Sequence, residues 1–312
     1  MPDPIAILIL AAGVGSRMRS KRAKVLHSAG GKTLVEHCVQ TALELSRGQS
    51  EAAIFVVVGH QADAVMEAAR RASPEIRFIR QANPKGGTGD AVRSGRRKLQ
   101  TAAPRLVVFC GDTPLLRANT LRGLLKFHAR AKAAATVLTV DSDDPADYGR
   151  IVRGADGDIS AIVEKKTASP DQLKLREINT GVYCFQTQPL FAALAKVGKD
   201  NTSGECYLTD VIAILKQQGQ KVTAHKMTDP AELIGINTRA DLAQVDALMR
   251  SRKARQLMVA GVTILRPESV QIDSGVQVGS DTVIEPGVTL AGRTRIGADR
   301  SEERRVGKEC RL

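Results

Sequence analysis

The chain has 312 residues, 43% of them hydrophobic, and a formal net charge of +13. This length accommodates one large or two smaller domains with a hydrophobic core. The charge permits a nucleic-acid partner, but the basic residues are dispersed and aromatic residues make up only 3% of the chain. We therefore interpret the charge as solvated surface with some steering of anions, and expect no nucleic-acid partner.

The five cysteines are widely spaced and include no Cys-x-x-Cys pair. This pattern supports neither a disulfide framework nor a zinc site. The sequence contains no secretory signal and no apolar run long enough to cross a bilayer. We therefore expect a soluble cytoplasmic protein without a membrane partner.

An apolar run at residues 5–10 is followed by a loop with two glycines, Gly13 and Gly15, and many cations. The run predicts a buried strand. Glycines let a backbone approach a ligand closely, and exposed N–H groups beside cations suit a phosphate chain. An ordinary strand–loop–helix connection is the alternative. The cations of this loop are Arg17, Arg19, Lys21, Arg22 and Lys24.

Two common phosphate-binding sequences do not match this region. Gly31-Lys32-Thr33 has the end of a Walker A loop, but Leu26 stands where its first glycine belongs. Met18 stands where the dinucleotide-binding fingerprint has its third glycine. The loop therefore belongs to another class of phosphate site, if it binds phosphate.

Strand and helix patterns alternate up to residue 115. This alternation predicts an α/β fold, a mostly parallel sheet with helices on both faces. Since ligands bind at the carboxyl ends of such strands, the loops at Gly13, Gly87 and Asp112 should share one edge. The predicted strands are 5–10, 53–59, 76–79 and 106–110, and the predicted helices are 33–45, 63–69 and 87–99.

Asp112 directly follows a buried strand and precedes Thr-Pro-Leu. A carboxylate at this place suits Mg²⁺, which takes one or two carboxylates together with water and substrate phosphates. Asp is also a good helix N-cap. The sequence leaves both interpretations open.

Beyond residue 147 the pattern predicts strands at 148–152, 159–165 and 177–185, which we expect to build a sugar-binding subdomain. Its polar residues Glu164 and Asn179 suit sugar hydroxyls, although either could lie on the surface. A helix to about Gln217, a strand at 222–227 and a long connector helix ending near Ala260 follow.

Five apolar residues recur at every sixth position near the end of the sequence. This spacing predicts a hexapeptide-repeat β-helix of one or two coils, because a coil takes about three hexads. The register fails after Asp299, and we interpret the remaining residues as unrelated sequence; a native charged tail is the alternative. The five residues are Ile272, Val278, Ile284, Leu290 and Ile296.

Residues 5–299 resemble the bacterial bifunctional N-acetylglucosamine-1-phosphate uridyltransferase/glucosamine-1-phosphate acetyltransferase family. The resemblance rests on LILAAGVGSRM, KVLH, QANPKGGTGDA, GDTPL, DDPADYGRIV, IVEKK, EINTGVY, GECYLTD, GINTR and the hexads. It implies a Rossmann-like nucleotidyltransferase domain (1–238), a connector helix (239–260), the start of a left-handed parallel β-helix (261–299) and a tail outside the family (300–312).

The resemblance also implies the reaction. UTP and N-acetylglucosamine 1-phosphate would give pyrophosphate and UDP-N-acetylglucosamine, a precursor of the cell envelope. Arg17 and Lys24 would be catalytic, and Asp112 and Asn237 would hold Mg²⁺. Gln81, Gly87 and Thr88 would recognise uracil, and Gly149, Glu164, Asn179 and Thr209 would face the sugar. Leu10, Ala11, Ala12, Gly13, Cys110 and Gly111 would complete the substrate contacts.

Two departures from the family pattern affect the site. The uracil loop has one extra residue, which leaves Gly86 and Gly87 hard to distinguish, and Asp90 replaces the usual histidine. Cys110 stands where the family often has a tyrosine. The first departure bears on base selectivity, and the second bears on one nucleotide or sugar contact.

In the family, the acetyltransferase site and the trimer interface lie in the long β-helix, most of which this sequence lacks. We therefore expect uridyltransferase activity without acetyl transfer, and a monomer. Two rivals remain: another nucleotidyltransferase, such as a glucose-1-phosphate thymidylyltransferase, and a regulatory homologue that binds a sugar nucleotide without turnover.

Overall fold

The computed structural model describes residues 4–145, 147–198 and 204–302. The chain divides into two compact units, Met1–Leu26 with Leu34–Gly235, and His27–Thr33 with Ile236–Leu312. The predicted domain boundaries after residues 238 and 260 stay predictions. The predicted tail lies outside the described residues from 303 onward.

The strands follow in chain order. They are β1 (Ile5–Ala11), β2 (Ser28–Ala29), β3 (Lys32–Thr33), β4 (Ala52–Val58), β5 (Arg77–Arg80), β6 (Arg105–Cys110), β7 (Ala135–Asp141), β8 (Arg150–Arg153), β9 (Ile159–Val163), β10 (Glu177–Gln186), β11 (Val222–Met227), β12 (Thr263–Ile264), β13 (Gln271–Ile272), β14 (Gln277–Val278), β15 (Val283–Ile284), β16 (Thr289–Leu290), β17 (Arg295–Ile296) and β18 (Ser301–Glu302).

The α-helices lie between these strands in both units. They are α1 (Leu34–Ser46), α2 (Ala62–Ala72), α3 (Thr88–Ser94), α4 (Arg96–Ala102), α5 (Ala118–Ala131), α6 (Pro170–Leu173), α7 (Thr187–Leu194), α8 (Asp210–Gln217) and α9 (Arg239–Val259).

The four strands predicted from apolar runs before residue 115 are confirmed as β1, β4, β5 and β6, with ends shifted by a single residue. The helix predicted over 87–99 is instead two helices, because Gly95 interrupts it between α3 and α4. A Cβ at Gly95 would lie 2.6 Å from Ile79 Cδ1. The chain therefore packs closely against β5 at this break.

Helix α5 and strand β7 were not predicted, although α5 has the helical spacing of buried side chains. Leu121, Leu124, Leu125 and His128 are all buried on it. Their spacing of three and four residues is the signal that could have identified the helix.

The central sheet of the first unit has the strand order β11-β7-β10-β6-β1-β4-β5. Neighbouring strands from β6 to β5 are parallel, as are β11 and β7, whereas β10 is antiparallel to β6 and β7. The predicted α/β fold with a mostly parallel sheet is confirmed. Strand β10, one of the three strands expected to build a sugar-binding subdomain, lies in this sheet between β6 and β7, and it also pairs with β8, which pairs with β9.

Strand β1 shows why the apolar run is continuous. Ile5, Ile7 and Ile9 pack into the core on one face of the sheet, while Ala6 and Leu8 pack into the core on the other. Successive side chains of a strand point to opposite faces, so a strand covered on both sides needs an apolar residue at every position.

The second unit contains the predicted coil. Ile272 pairs with Leu290 and Val278 pairs with Ile296 in parallel strands. Each pair is eighteen residues apart in the numbering, which is the three hexads expected for one turn of the coil. Strand β18 pairs with β15, so backbone pairing extends past Asp299. These short parallel strands agree with the start of a β-helix.

The hairpin β2–β3 also belongs to this unit. Gly30 and Gly31 form its turn, both with positive φ, which glycine adopts without steric cost. The Gly30 N–H donates to Asp246 Oδ1 at 2.7 Å. The Gly31-Lys32-Thr33 segment is therefore part of a hairpin, in agreement with its failure to match a Walker A loop.

None of the helices in the described ranges combines the length and hydrophobicity that a membrane span requires.

Candidate active site

A cavity of about 250 Å³ lies in the first unit at the carboxyl ends of β1 and β6. The loops following three parallel strands, β1, β5 and β6, contribute to its walls. The predicted convergence of these loops is therefore observed. Of the predicted site residues, Leu10, Ala11, Ala12, Gly13, Lys24, Gln81, Gly87, Thr88, Cys110 and Asp112 line this cavity.

The glycine loop after β1 brings a lysine to the cavity wall. Gly15 has φ +69°, and a Cβ at this position would lie 2.5 Å from Lys24 Cβ. Only glycine permits both the backbone conformation and this approach. At Gly13, by contrast, a Cβ would meet no atom within 4 Å. The backbone there is open to a ligand.

Lys24 forms an ion pair with Asp112 inside the cavity. The two side chains are only 16% and 18% exposed. Asp112 is not the N-cap of the next helix, because α5 begins at Ala118 and its N-cap is Arg117. The cap interpretation is therefore wrong, and the carboxylate instead pairs with the Lys24 ammonium group. Gly111, directly before it, donates its N–H to Leu10 O at 2.9 Å.

No group of three or more His, Cys, Asp or Glu residues that could hold a metal occurs in the described part of the chain. A single carboxylate in the cavity wall still fits Mg²⁺, since this ion can take most of its ligands from substrate and water. The second predicted ligand, Asn237, belongs to the other compact unit. Its backbone N–H donates there to Asp241 Oδ2 at 2.8 Å.

Arg17, the other predicted catalytic residue, is not among the residues lining the cavity. Its Nη1 donates to Asp147 Oδ2 at 3.0 Å, and both side chains are more than half exposed. Lys165 also donates to Asp147, at 2.8 Å. Lys165 and Arg17 together lower the pKa of Asp147 below its ordinary value. The carboxylate therefore holds both cations at neutral pH.

Gln81 lies buried in the cavity wall at the end of β5. Its Nε2 donates to Gly87 O at 3.2 Å and to Asp90 Oδ2 at 2.9 Å. Gly87 lines the cavity, has φ +88°, and leaves no room for a Cβ beside Cys206 O. The space that a Cβ at Gly86 would occupy is filled by the Asp90 side chain. Of these two glycines, Gly87 is therefore the one that lines the cavity.

The four predicted sugar-facing residues are brought together. Glu164 Oε1 accepts from Thr209 Oγ1 at 3.2 Å, and a Cβ at Gly149 would lie 3.6 Å from the Glu164 carboxylate. Asn179 N donates to Gly149 O at 2.8 Å. Burial raises the pKa of Glu164 above its ordinary value. This cluster can offer a carboxylate, an amide and a hydroxyl to a polar ligand.

Cys110 connects the cavity with this polar cluster. A Cβ at Gly181 would lie 3.6 Å from Cys110 Sγ, and the Gly181 N–H donates to Asn179 Oδ1 at 3.1 Å. Burial raises the pKa of the Cys110 thiol to about 12. The thiol is therefore neutral and serves as a small wall residue rather than a nucleophile.

Six further residues line the cavity that the sequence motifs did not single out. Lys85 and Tyr207 lie within the loop and the GECYLTD motif that were noted, so a cation and an aromatic residue in those segments were the available signals. The further lining residues are Val25, Pro84, Lys85, Ala91, Glu205 and Tyr207.

Comparison with known proteins identifies several curated relatives of this chain. The chain is 46% identical to the bifunctional protein GlmU of Solibacter usitatus, over 98% of this chain and 64% of that protein. It is 46% identical to GlmU of Koribacter versatilis (94% and 62%) and 43% identical to GlmU of Geobacter metallireducens (94% and 60%). The chain thus spans about three fifths of the length of these curated relatives.

The family model for nucleotidyl transferases matches residues 6–253. This range includes the glycine loop, the Lys24–Asp112 pair and the polar cluster around Glu164. The chain belongs to the nucleotidyl transferase family.

Proposed function

We propose that this protein is a uridylyltransferase that makes UDP-N-acetylglucosamine and pyrophosphate from UTP and N-acetylglucosamine 1-phosphate in the cytoplasm. The observation that carries the proposal is the Lys24–Asp112 pair inside a cavity at the carboxyl edge of the sheet. A lysine beside a carboxylate that can bind a cation suits nucleotidyl transfer, because positive charges stabilise the transferring phosphoryl group.

In the proposed reaction, the sugar phosphate attacks the α-phosphorus of UTP and pyrophosphate leaves in line. Positioning and neutralisation of charge supply most of the catalysis in such a transfer. Lys24 places an ammonium group where negative charge accumulates on the transferring phosphorus. The open backbone at Gly13 admits the phosphate chain against β1.

The proposal includes a divalent cation, Mg²⁺, with Asp112 as its ligand in the cavity and Asn237 as the second predicted ligand. When bound, the ion neutralises the triphosphate oxygens. Asp112 would hold the ion, and Lys24 would supply a second positive charge beside the carboxylate.

The two ends of the site suit the two substrates. Gln81 and the Gly87 backbone would recognise the uracil ring, since both line the cavity. Glu164, Asn179 and Thr209 would receive the sugar, because hydroxyl and N-acetyl groups need several oriented donors and acceptors. Tyr183 supports this end, since Asn179 Nδ2 donates to its hydroxyl at 2.8 Å.

The test is release of pyrophosphate from UTP and N-acetylglucosamine 1-phosphate by the purified chain, with and without Mg²⁺. TTP and glucose 1-phosphate serve as competing substrates. We expect Mg²⁺-dependent release specific to the first pair. Release only with the competitors would assign the chain to a sister transferase, and binding without any release would indicate a regulatory homologue.

A further inference from the structure

The two hydrogens of the Gln81 amide are both used within the protein. One is donated to Gly87 O and the other to the Asp90 carboxylate. A backbone carbonyl oxygen can only accept, so the contact with Gly87 O fixes which end of the amide is nitrogen. The oxygen Oε1 is thereby the atom of Gln81 that remains for a ligand in the cavity.

The position of the Asp90 carboxylate depends on the absence of a side chain at Gly86. A Cβ at residue 86 would collide with Asp90 Oδ2. Gly86 is itself buried, and its carbonyl accepts from Cys206 N at 2.9 Å, so its backbone has little freedom to withdraw. The absence of a side chain at this position leaves room for Asp90 beside Gln81.

We propose that Asp90 is a positioning residue that determines base selectivity by fixing Gln81 with its oxygen toward the nucleotide. The inference rests on the proposed function in that the cavity takes a nucleotide. Asp90 itself touches Gln81 rather than the substrate. Its effect is therefore on which base binds, and only indirectly on the chemical step.

An outward amide oxygen accepts a hydrogen bond and cannot donate one. Uracil presents a ring N3–H donor, whereas N3 of cytosine is an acceptor. A site with a fixed acceptor forms a hydrogen bond with uracil N3–H. With cytosine, two acceptors face each other, and this unfavourable contact strongly disfavours binding of cytosine. If the Gln81 amide can rotate and exchange its oxygen and nitrogen, it binds either base, and the preference for uracil over cytosine falls.

The first test is Asp90→Asn, which keeps the shape but adds a donor that can bond Gln81 Oε1. We expect the preference for UTP over CTP, measured as the ratio of their dissociation constants by calorimetry, to fall by about tenfold. The loss is partial because Gly87 O still accepts from Gln81. Asp63→Asn, at an exposed carboxylate paired with Arg80, is the matched control and should leave the ratio unchanged.

Gly86→Ala is an independent second variant, since it displaces the Asp90 carboxylate without removing it. We expect its preference for UTP to fall in the same direction. Gln81→Ala should abolish altogether the contribution of the Gln81 amide to the preference for UTP over CTP. An unchanged ratio in both Asp90→Asn and Gly86→Ala, with correct folding by circular dichroism, overturns the inference, as does an unchanged ratio in Gln81→Ala.

The binding measurement separates this inference from the proposed reaction. Absence of pyrophosphate release, with uracil selectivity present and lost in the two variants, would refute the proposed reaction and support the role of Asp90. Pyrophosphate release from UTP together with unchanged selectivity in the variants would support the proposed reaction and refute the role of Asp90.

Discussion

Two ion pairs contain the two cations that we predict to act on the triphosphate, and their surroundings differ. Lys24 and Asp112 are largely enclosed in the cavity, with 16% and 18% of their side chains exposed, whereas Arg17 and Asp147 are 56% and 62% exposed. The first pair joins two loops at the carboxyl edge of the sheet. The second joins the glycine loop to a segment 130 residues away.

The difference indicates different roles. Coulombic interactions weaken as solvent access increases, so an exposed pair contributes little and its side chains separate readily. An enclosed pair holds its charges at fixed positions. We infer that Lys24 and Asp112 are preorganised for the reaction, while Arg17 must leave Asp147 to reach a nucleotide.

Asp112→Ala should have the largest effect. Removal of the proposed metal ligand should lower Mg²⁺-dependent pyrophosphate release by about a thousandfold, since a bound cation supplies several kcal/mol of charge stabilisation. The measurement is the rate as a function of Mg²⁺ concentration, with circular dichroism as the check on folding. A rate equal to that of the unaltered protein would show that the enclosed carboxylate has no catalytic part.

Lys24→Ala should cost about 2–4 kcal/mol of transition-state stabilisation, the range found for other preorganised donors. The quantity measured is kcat/KM for UTP. Lys21→Ala is the matched control, because Lys21 lies on the same loop and is not among the residues lining the cavity. Equal losses in the two variants would mean that the position of Lys24 has no special importance.

Arg17→Ala should lower kcat/KM for UTP less, by about ten- to a hundredfold, as expected for loss of a hydrogen bond to a charged group. Arg22→Ala, at an exposed position on the same loop, serves as its control. A loss larger than that of Lys24→Ala would reverse the contrast between the enclosed and the exposed pair.

Asp147→Asn should have the smallest effect. It releases Arg17 from a competing carboxylate, so KM for UTP should fall by no more than about fivefold, because exposed pairs contribute about 0–1 kcal/mol. The difference in KM between the variant and the unaltered protein should disappear at high salt, where exposed charges are screened. A higher KM in this variant would show that Asp147 positions Arg17 for the nucleotide instead of holding it away.

The sequence predicted the elements whose signal is local. The apolar runs of β1 and β4 and the hexad positions Ile272 and Ile284 all appear where they were expected. In each case burial depends on periodicity within a few residues, which a single sequence displays directly. The place of β10 in the central sheet was not predicted, because its partners β6 and β7 precede it in the chain by many residues.

The site shows the same division between features encoded locally in the sequence and features that depend on distant segments. The family motifs identified ten residues of the cavity wall, and the Lys24–Asp112 pair joins two of them. The motifs did not show that Arg17 pairs with Asp147, or that Asp90, beside Gly86, accepts a hydrogen bond from Gln81. They left open whether Asp112 was a cap, a question that the start of α5 answers.

By itself, therefore, the sequence determined the fold class, the repeat and the types of residue in the site, because hydrophobic spacing and turn chemistry are encoded locally. Only the tertiary structure decided which glycine lines the cavity, which cation is enclosed and which polar groups accept from Gln81. Those outcomes depend on distances between segments far apart in the chain. Such distances are set by the packing of the whole sheet rather than by any one stretch of sequence.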